Sequence, residues 1–134
     1  MTTFRARTAQ RVLAAYETIF ATSALVGGVC LIAGAPGFQL PTDVLAPFGL
    51  STWVLPGAAL IVAIGGSLAW AASAAWRGDR NAPGFGYAAS VVLAGWLAIQ
   101  FAVLGFREPV QWLTLGLLCV LVLLTRFVQR AVRR

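Results

Sequence analysis

The sequence predicts an all-α polytopic membrane protein, four transmembrane helices in an antiparallel bundle with the N- and C-termini cytoplasmic. Three observations predict it. Hydrophobic residues make up 60% of the 134-residue chain and charged residues only 10%, against about 25% charged in an average globular domain. Four stretches reach the roughly 20 apolar residues that a helix needs to cross a hydrocarbon core about 30 Å thick. Nine of the ten basic residues, all of them arginine, fall on one side of a chain that crosses four times.

The whole of 1–134 reads as one membrane domain with spans at about 13–34, 56–76, 85–105 and 110–127. The breaks between them carry turn-forming residues: Ala35-Pro36-Gly37, the run from Arg77 to Gly84, and Arg107-Glu108-Pro109. Pro56 and Pro109 stand at helix starts, where a missing N–H costs nothing. An unpaired backbone group is costly in lipid, so these apolar runs are expected as helices. The basic stretch holding Arg5, Arg7 and Arg11, with the small-residue triplet Ala33-Gly34-Ala35, has the outline of a leader peptide. The apolar run between them is longer than the usual 7–15 residues of such a leader and contains Glu17, so it reads as a span.

Orientation follows from the arginines. Arg5, Arg7, Arg11, Arg77, Arg80, Arg126, Arg130, Arg133 and Arg134 share one side, and Arg107 alone lies on the other. The positive-inside rule places the larger group in the cytoplasm and the 35–55 loop outside, which implies a multi-pass protein of a bacterial inner membrane. That loop is apolar, and Pro36, Pro41 and Pro47 argue against a long helix. It is expected to lie folded on the bundle at the lipid–water boundary.

The same composition excludes several function classes. A sequence pI near 11.1 resembles a nucleic-acid footprint, but no basic stripe interleaved with aromatics is present. The arginines are better read as meeting the anionic head groups of membrane lipids, and no nucleic-acid partner is expected. There is no His, and Cys30 and Cys119 are far apart, which removes His-ligated metals and haem, His-dependent triads and a Cys-x-x-Cys pair. No enzyme activity, metal or cofactor is expected. Both cysteines read as small apolar fillers.

Small residues mark where transmembrane helices approach closely. On the second span Ala59, Ala63, Ser67, Ala71 and Ala75 recur at every fourth position, with Gly65, Ala69 and Ser73 beside them. The first span adds Gly27 with Ser23 and Gly28 with Ala24. The second helix is expected to sit deepest and the leucine-rich fourth to show most of its surface. Trp53, Trp76 and Trp112 fall at span ends, as interfacial anchors do, while Trp70 and Trp96 lie deeper, where packing is the expected role.

Two polar features stand out. Glu17 is the sole acid within a span, and an intramembrane acid is a functional candidate by default. It lies about 9 Å along the axis from Arg11, within reach of Arg77, Arg80 or Arg126 at the cytoplasmic face; it is either an ion-pair partner there or a proton-coupling acid. At the opposite mouth, Gln100, Gln111, Asp43, Arg107 and Glu108 form a candidate polar cluster, with Thr114 beside them. Its plainer reading is an interhelical hydrogen bond from Gln100.

The pieces Ala46-Pro47-Phe48, Leu55-Pro56-Gly57, Gly65, Trp96-x-x-x-Gln100, and Gln111 with Gly116 resemble a pattern in an uncharacterised family of small bacterial four-helix membrane proteins. The likeness spans roughly residues 12–125 and departs at Gln100, where such proteins often carry an acid. It implies the topology and no activity. All-arginine, alanine-rich usage suggests an actinobacterium-like source. The first functional reading is a non-enzymatic accessory or assembly subunit, or a self-associating scaffold, partnered by other membrane chains or by itself. The alternative is a small dimeric transporter or lipophile-binding protein with Glu17 as coupling acid. It resembles small multidrug-resistance transporters in having four helices and a first-helix Glu, though the one-sided arginines argue against dual topology.

Overall fold

In a computed structural model, which describes residues 2–38 and 40–134 with Thr2 as backbone only, nearly all the chain is helical. Helix α1 runs Thr2–Ala33, α2 Val54–Trp76, α3 Ala82–Leu104 and α4 Pro109–Arg133. All four are long and apolar enough to cross a membrane, which makes this a multi-pass membrane protein. Each helix packs on its neighbours in the chain, and α4 closes the ring against α1.

The helices outrun the hydropathy at the arginine-rich end. α1 includes Arg5, Arg7 and Arg11, and α4 continues through Arg126 and Arg130. Hydropathy marks only the part of a helix that sits in hydrocarbon; arginine and glutamine are good helix formers and carry the same helices onward into the polar layer. Turn chemistry sets the ends. Gly34 adopts φ +72° and the Ala35 N–H returns to Cys30 O at 2.9 Å, closing α1. Pro109 opens α4, and Pro56 falls within the first turn of α2, where no intrahelical N–H is required.

The 35–55 connection holds a short 3₁₀ helix, Thr42–Phe48, anchored by the buried side chain of Leu45. Trp53 Nε1 donates to Leu40 O at 2.9 Å and folds the segment on itself; Gln39, inside this connection, lies outside the described residues. At the neighbouring α3–α4 turn, Phe101 and Phe106 stack at 4.8 Å with Trp112 tilted against them. These aromatics gather at one end of the bundle, as interfacial anchoring requires.

α2 is not uniform. Its first turns are α-helical over Val54–Ala59, a π-helical stretch follows at Leu60–Gly65, and the α-helix resumes at Gly66–Trp76. The stretch widens the helix and shifts the inward face, which alters the expected small-residue row. Ala71 and Ala75 are buried, Ser67 and Ala59 are half-buried, and Ala63 points outward. The closest approach of α1 and α2 lies at another pair, Gly28 and Gly57. A Cβ on Gly28 would come 2.8 Å from Gly57 O and overlap Ile61, and one on Gly57 would come 2.9 Å from Gly28 O. Gly27 meets only ordinary packing, with Leu60 Cδ2 at 3.6 Å. α2 is the most buried span, as the small residues imply, but α4 is no more exposed than α1 or α3.

The core follows from these helices. Leu13, Ile64, Leu68, Leu93, Leu121 and Val128 are fully buried at its centre. Outside, Ile19, Val62, Val91, Leu113 and Leu123 are two-thirds exposed or nearly so, a surface suited to lipid and far larger than soluble proteins tolerate. Trp70 belongs to that outer surface, 63% exposed with its edge on Phe85, and not to the interior packing expected of it. Trp96 does pack on the core. Cys119 also faces outward, whereas Cys30 is half-buried; both are free thiols.

Candidate functional site

Besides Ala9 and Leu13, the inward positions on α1 are Gln10, Ala14, Glu17, Ala21, Ala24 and Gly28. They alternate by four and three, the spacing that keeps one seam facing a neighbouring helix. Glu17 stands in the middle of that seam with no exposed surface. Its carboxyl reaches across to α3 and α4: the position of a Cβ on Gly86 would lie 3.2 Å from Glu17 Oε1 and 2.8 Å from Thr125 Oγ1. The absent side chain of Gly86 is what admits both groups. Neither oxygen of Glu17 has a hydrogen-bond partner among the described residues. Thr125 gives its single proton to Leu121 O at 2.8 Å, and so faces the carboxyl only as an acceptor. Ser90, one turn along α3, likewise gives its proton to Gly86 O at 2.8 Å. The expected ion pair with Arg77, Arg80 or Arg126 does not form; those arginines are exposed, and the seam turns Glu17 away from them.

The polar cluster expected at the opposite mouth is only partly assembled. The α3–α4 turn brings Gln111, fully buried, against α3, where its Nε2 donates to Gln100 O at 3.1 Å. Thr114 is spent on its own helix through Val110 O at 2.8 Å. Glu108 is the residue preceding α4 and caps it without a side-chain hydrogen bond. Asp43 and Arg107 are exposed, and neither side chain makes a hydrogen bond or ion pair among the described residues. What remains is an amide pair, with Oε1 of Gln100 and of Gln111 both buried and unpartnered.

Gln100 opens onto a feature that hydropathy did not foretell. Between α1 and α4, over the half of the bundle away from the arginines, lies a cleft of about 430 Å³. On the α1 wall, Ser23, Ala24 and Gly27 are too small to fill it; Leu113 and Leu117 form the α4 wall, and Phe38 comes from the loop. Leu60 and Ile64 of the π-helical stretch also line it, with Leu93 and Trp96 from α3. π-helical turns inside α-helices are frequent at functional sites. Toward the arginine-rich end, Tyr16 closes the seam by donating to Leu117 O at 2.6 Å. Ser23 gives its proton to Ile19 O at 2.9 Å. Of the polar side chains lining the cleft, Tyr16, Ser23 and Thr114 thus have their protons committed to helix carbonyls, while Gln100, whose Oε1 is buried, and the Trp96 indole line it as well. Glu17, two turns from Ala24 toward the arginine-rich end, is not part of the lining.

No protein-family model, curated protein or solved structure matches this chain. The small side chains at positions 23, 24 and 27 were visible in the sequence as packing residues; that α4 stands away from them was not.

Proposed function

We propose that this chain is a multi-pass protein of the bacterial cytoplasmic membrane that holds an amphiphile in its lateral cleft. The observation that carries the reading is an apolar cleft of about 430 Å³ with one unpartnered buried amide oxygen at its edge. That volume falls in the range of small-molecule sites, about 300–1,000 Å³, which pair apolar walls with a few fixed polar groups. An acyl or prenyl tail suits the walls, and a hydroxyl or amide N–H at the head of the same molecule suits Gln100 Oε1. Glu17 would act at a separate place, as the acid coupling release or transport of the guest.

The experiment is native mass spectrometry of the chain released from its membrane, as wild type, Gly27→Leu and Gln100→Leu. The wild type should carry a bound amphiphile, Gly27→Leu should lose it by filling the cleft, and Gln100→Leu should weaken it. A wild-type chain that never carries a lipid-sized adduct refutes the reading. Another membrane protein recovered in place of a lipid, and lost in the same variants, would move the assignment to an accessory or assembly subunit.

A further inference from the structure

The arginine-rich end holds a second recess, about 470 Å³, between the start of α1, the end of α2 and the turn that follows. Arg7 and Arg11, one helical turn apart on α1, line it together with Arg77 and Arg80 of the α2–α3 turn. The fold brings the two pairs together by identifiable contacts. Gly78, at φ +69°, reverses the chain after α2, and the Asp79 N–H returns to Ala74 O at 3.0 Å. Gln10, only 6% exposed, donates its Nε2 to Asp79 O at 3.0 Å and ties the turn to α1. Asp79 directs its carboxylate into its own turn, where Oδ1 accepts the Asn81 N–H at 2.8 Å. Among the described residues, none of the four arginines has a carboxylate partner.

The positive-inside rule asks only that arginines lie on one side of the membrane. It does not ask that two separate segments be tethered so that four of their arginines line one recess while the nearby acid is engaged elsewhere. Like charges so gathered repel unless an anion joins them. Guanidinium groups match phosphate oxygens bidentately, and basic pockets between transmembrane helices bind headgroups carrying several phosphates. Trp76 sets the depth. It lines the recess half-exposed, its Nε1 donating to Thr18 Oγ1 at 3.0 Å, and an interfacial indole of this kind sits at headgroup level. We propose that this recess binds the headgroup of an anionic lipid with two phosphates, held by Arg7, Arg11, Arg77 and Arg80.

The test titrates the detergent-solubilised full chain with cardiolipin, with phosphatidylglycerol at matched phosphate, and with inorganic pyrophosphate. Removing one arginine near a membrane surface weakens anionic-lipid binding about fivefold, so Arg7→Gln with Arg77→Gln should cost roughly 25-fold for cardiolipin. Arg130→Gln with Arg133→Gln removes equal charge from the same end but outside this recess, and should cost less than about fivefold. Gln10→Leu removes the tether and no charge, and should weaken cardiolipin several-fold. Equal losses for the two arginine pairs, or unchanged affinity in Gln10→Leu, would overturn the site in favour of general surface charge. Phosphatidylglycerol binding as tightly as cardiolipin would overturn the two-phosphate assignment, and pyrophosphate binding as tightly would overturn the lipid.

Discussion

Gly28→Ala is the sharpest probe of the bundle. The added methyl would stand 2.8 Å from Gly57 O, a backbone atom that no rotamer change can move, and would overlap Ile61 as well. Van der Waals contact needs several tenths of an ångström more, so α1 and α2 must part at the point where their backbones are closest. Overpacking of this kind costs about 1–3 kcal/mol. Replacing glycine by alanine inside a helix returns roughly 0.5–1 kcal/mol, and that gain must be separated from the clash. Gly95→Ala and Gly116→Ala supply the comparison, since a Cβ at either meets nothing within 4 Å. Both should be neutral or slightly stabilised, and Gly28→Ala should fall below them by about 1–3 kcal/mol, roughly a five- to 150-fold drop in the folded-to-unfolded ratio. Unfolding by sodium dodecyl sulfate in mixed micelles, followed by the fluorescence of the five tryptophans, measures the difference. If Gly28→Ala unfolds at the same detergent fraction as Gly95→Ala, the α1–α2 contact is not as described.

Three further outcomes are expected. Tyr16→Phe loses the 2.6 Å hydrogen bond to Leu117 O and should destabilise the same unfolding transition by about 0.6–2 kcal/mol; no change would mean that the bond does not hold α1 to α4. Glu17→Gln keeps the shape while offering N–H groups to a site where Thr125 can only accept, so stability should hold or rise by about 1 kcal/mol; transport or guest release should fail although the guest still binds, and a clear loss of stability would show that the carboxyl serves packing. Gly86→Ala places a methyl 2.8 Å from Thr125 Oγ1 and 3.2 Å from Glu17 Oε1. It should lower stability by about 1 kcal/mol or more, and pairing it with Thr125→Ser should recover part of that loss, because it removes the Thr125 Cγ2 that would stand 3.0 Å from the added methyl while Oγ1 stays.

The four helices were legible because hydropathy and turn residues act locally: Gly34 and Pro109 mark ends wherever the rest of the chain lies. Glu17 was legible as an intramembrane acid, and its inward direction could have been read from Gln10, Ala14, Ala21, Ala24 and Gly28, which share its four-and-three spacing. The Gln100–Gln111 contact was within reach too, because a short turn between them forces adjacent antiparallel helices. Other features depend on relations between distant segments. A row repeating every fourth residue from Ala59 to Ala75 drifts about 40° per step around a regular helix, and the π-helical stretch adds its own rotation at Ala63, which faces outward. The cleft depends on where α4 stands relative to α1, and no run of residues in either helix states that separation.

The order of synthesis gives the clasp between Tyr16 and Leu117 a consequence. One wall of the cleft comes from α1 and the other from α4, so a nascent chain has no cleft until α4 has entered the bilayer. Throughout translation the inward seam of α1, Glu17 included, waits uncovered on the side that α4 will close. A ribosome stalled before α4 would leave that acid open to the membrane interior, without Thr125 against it.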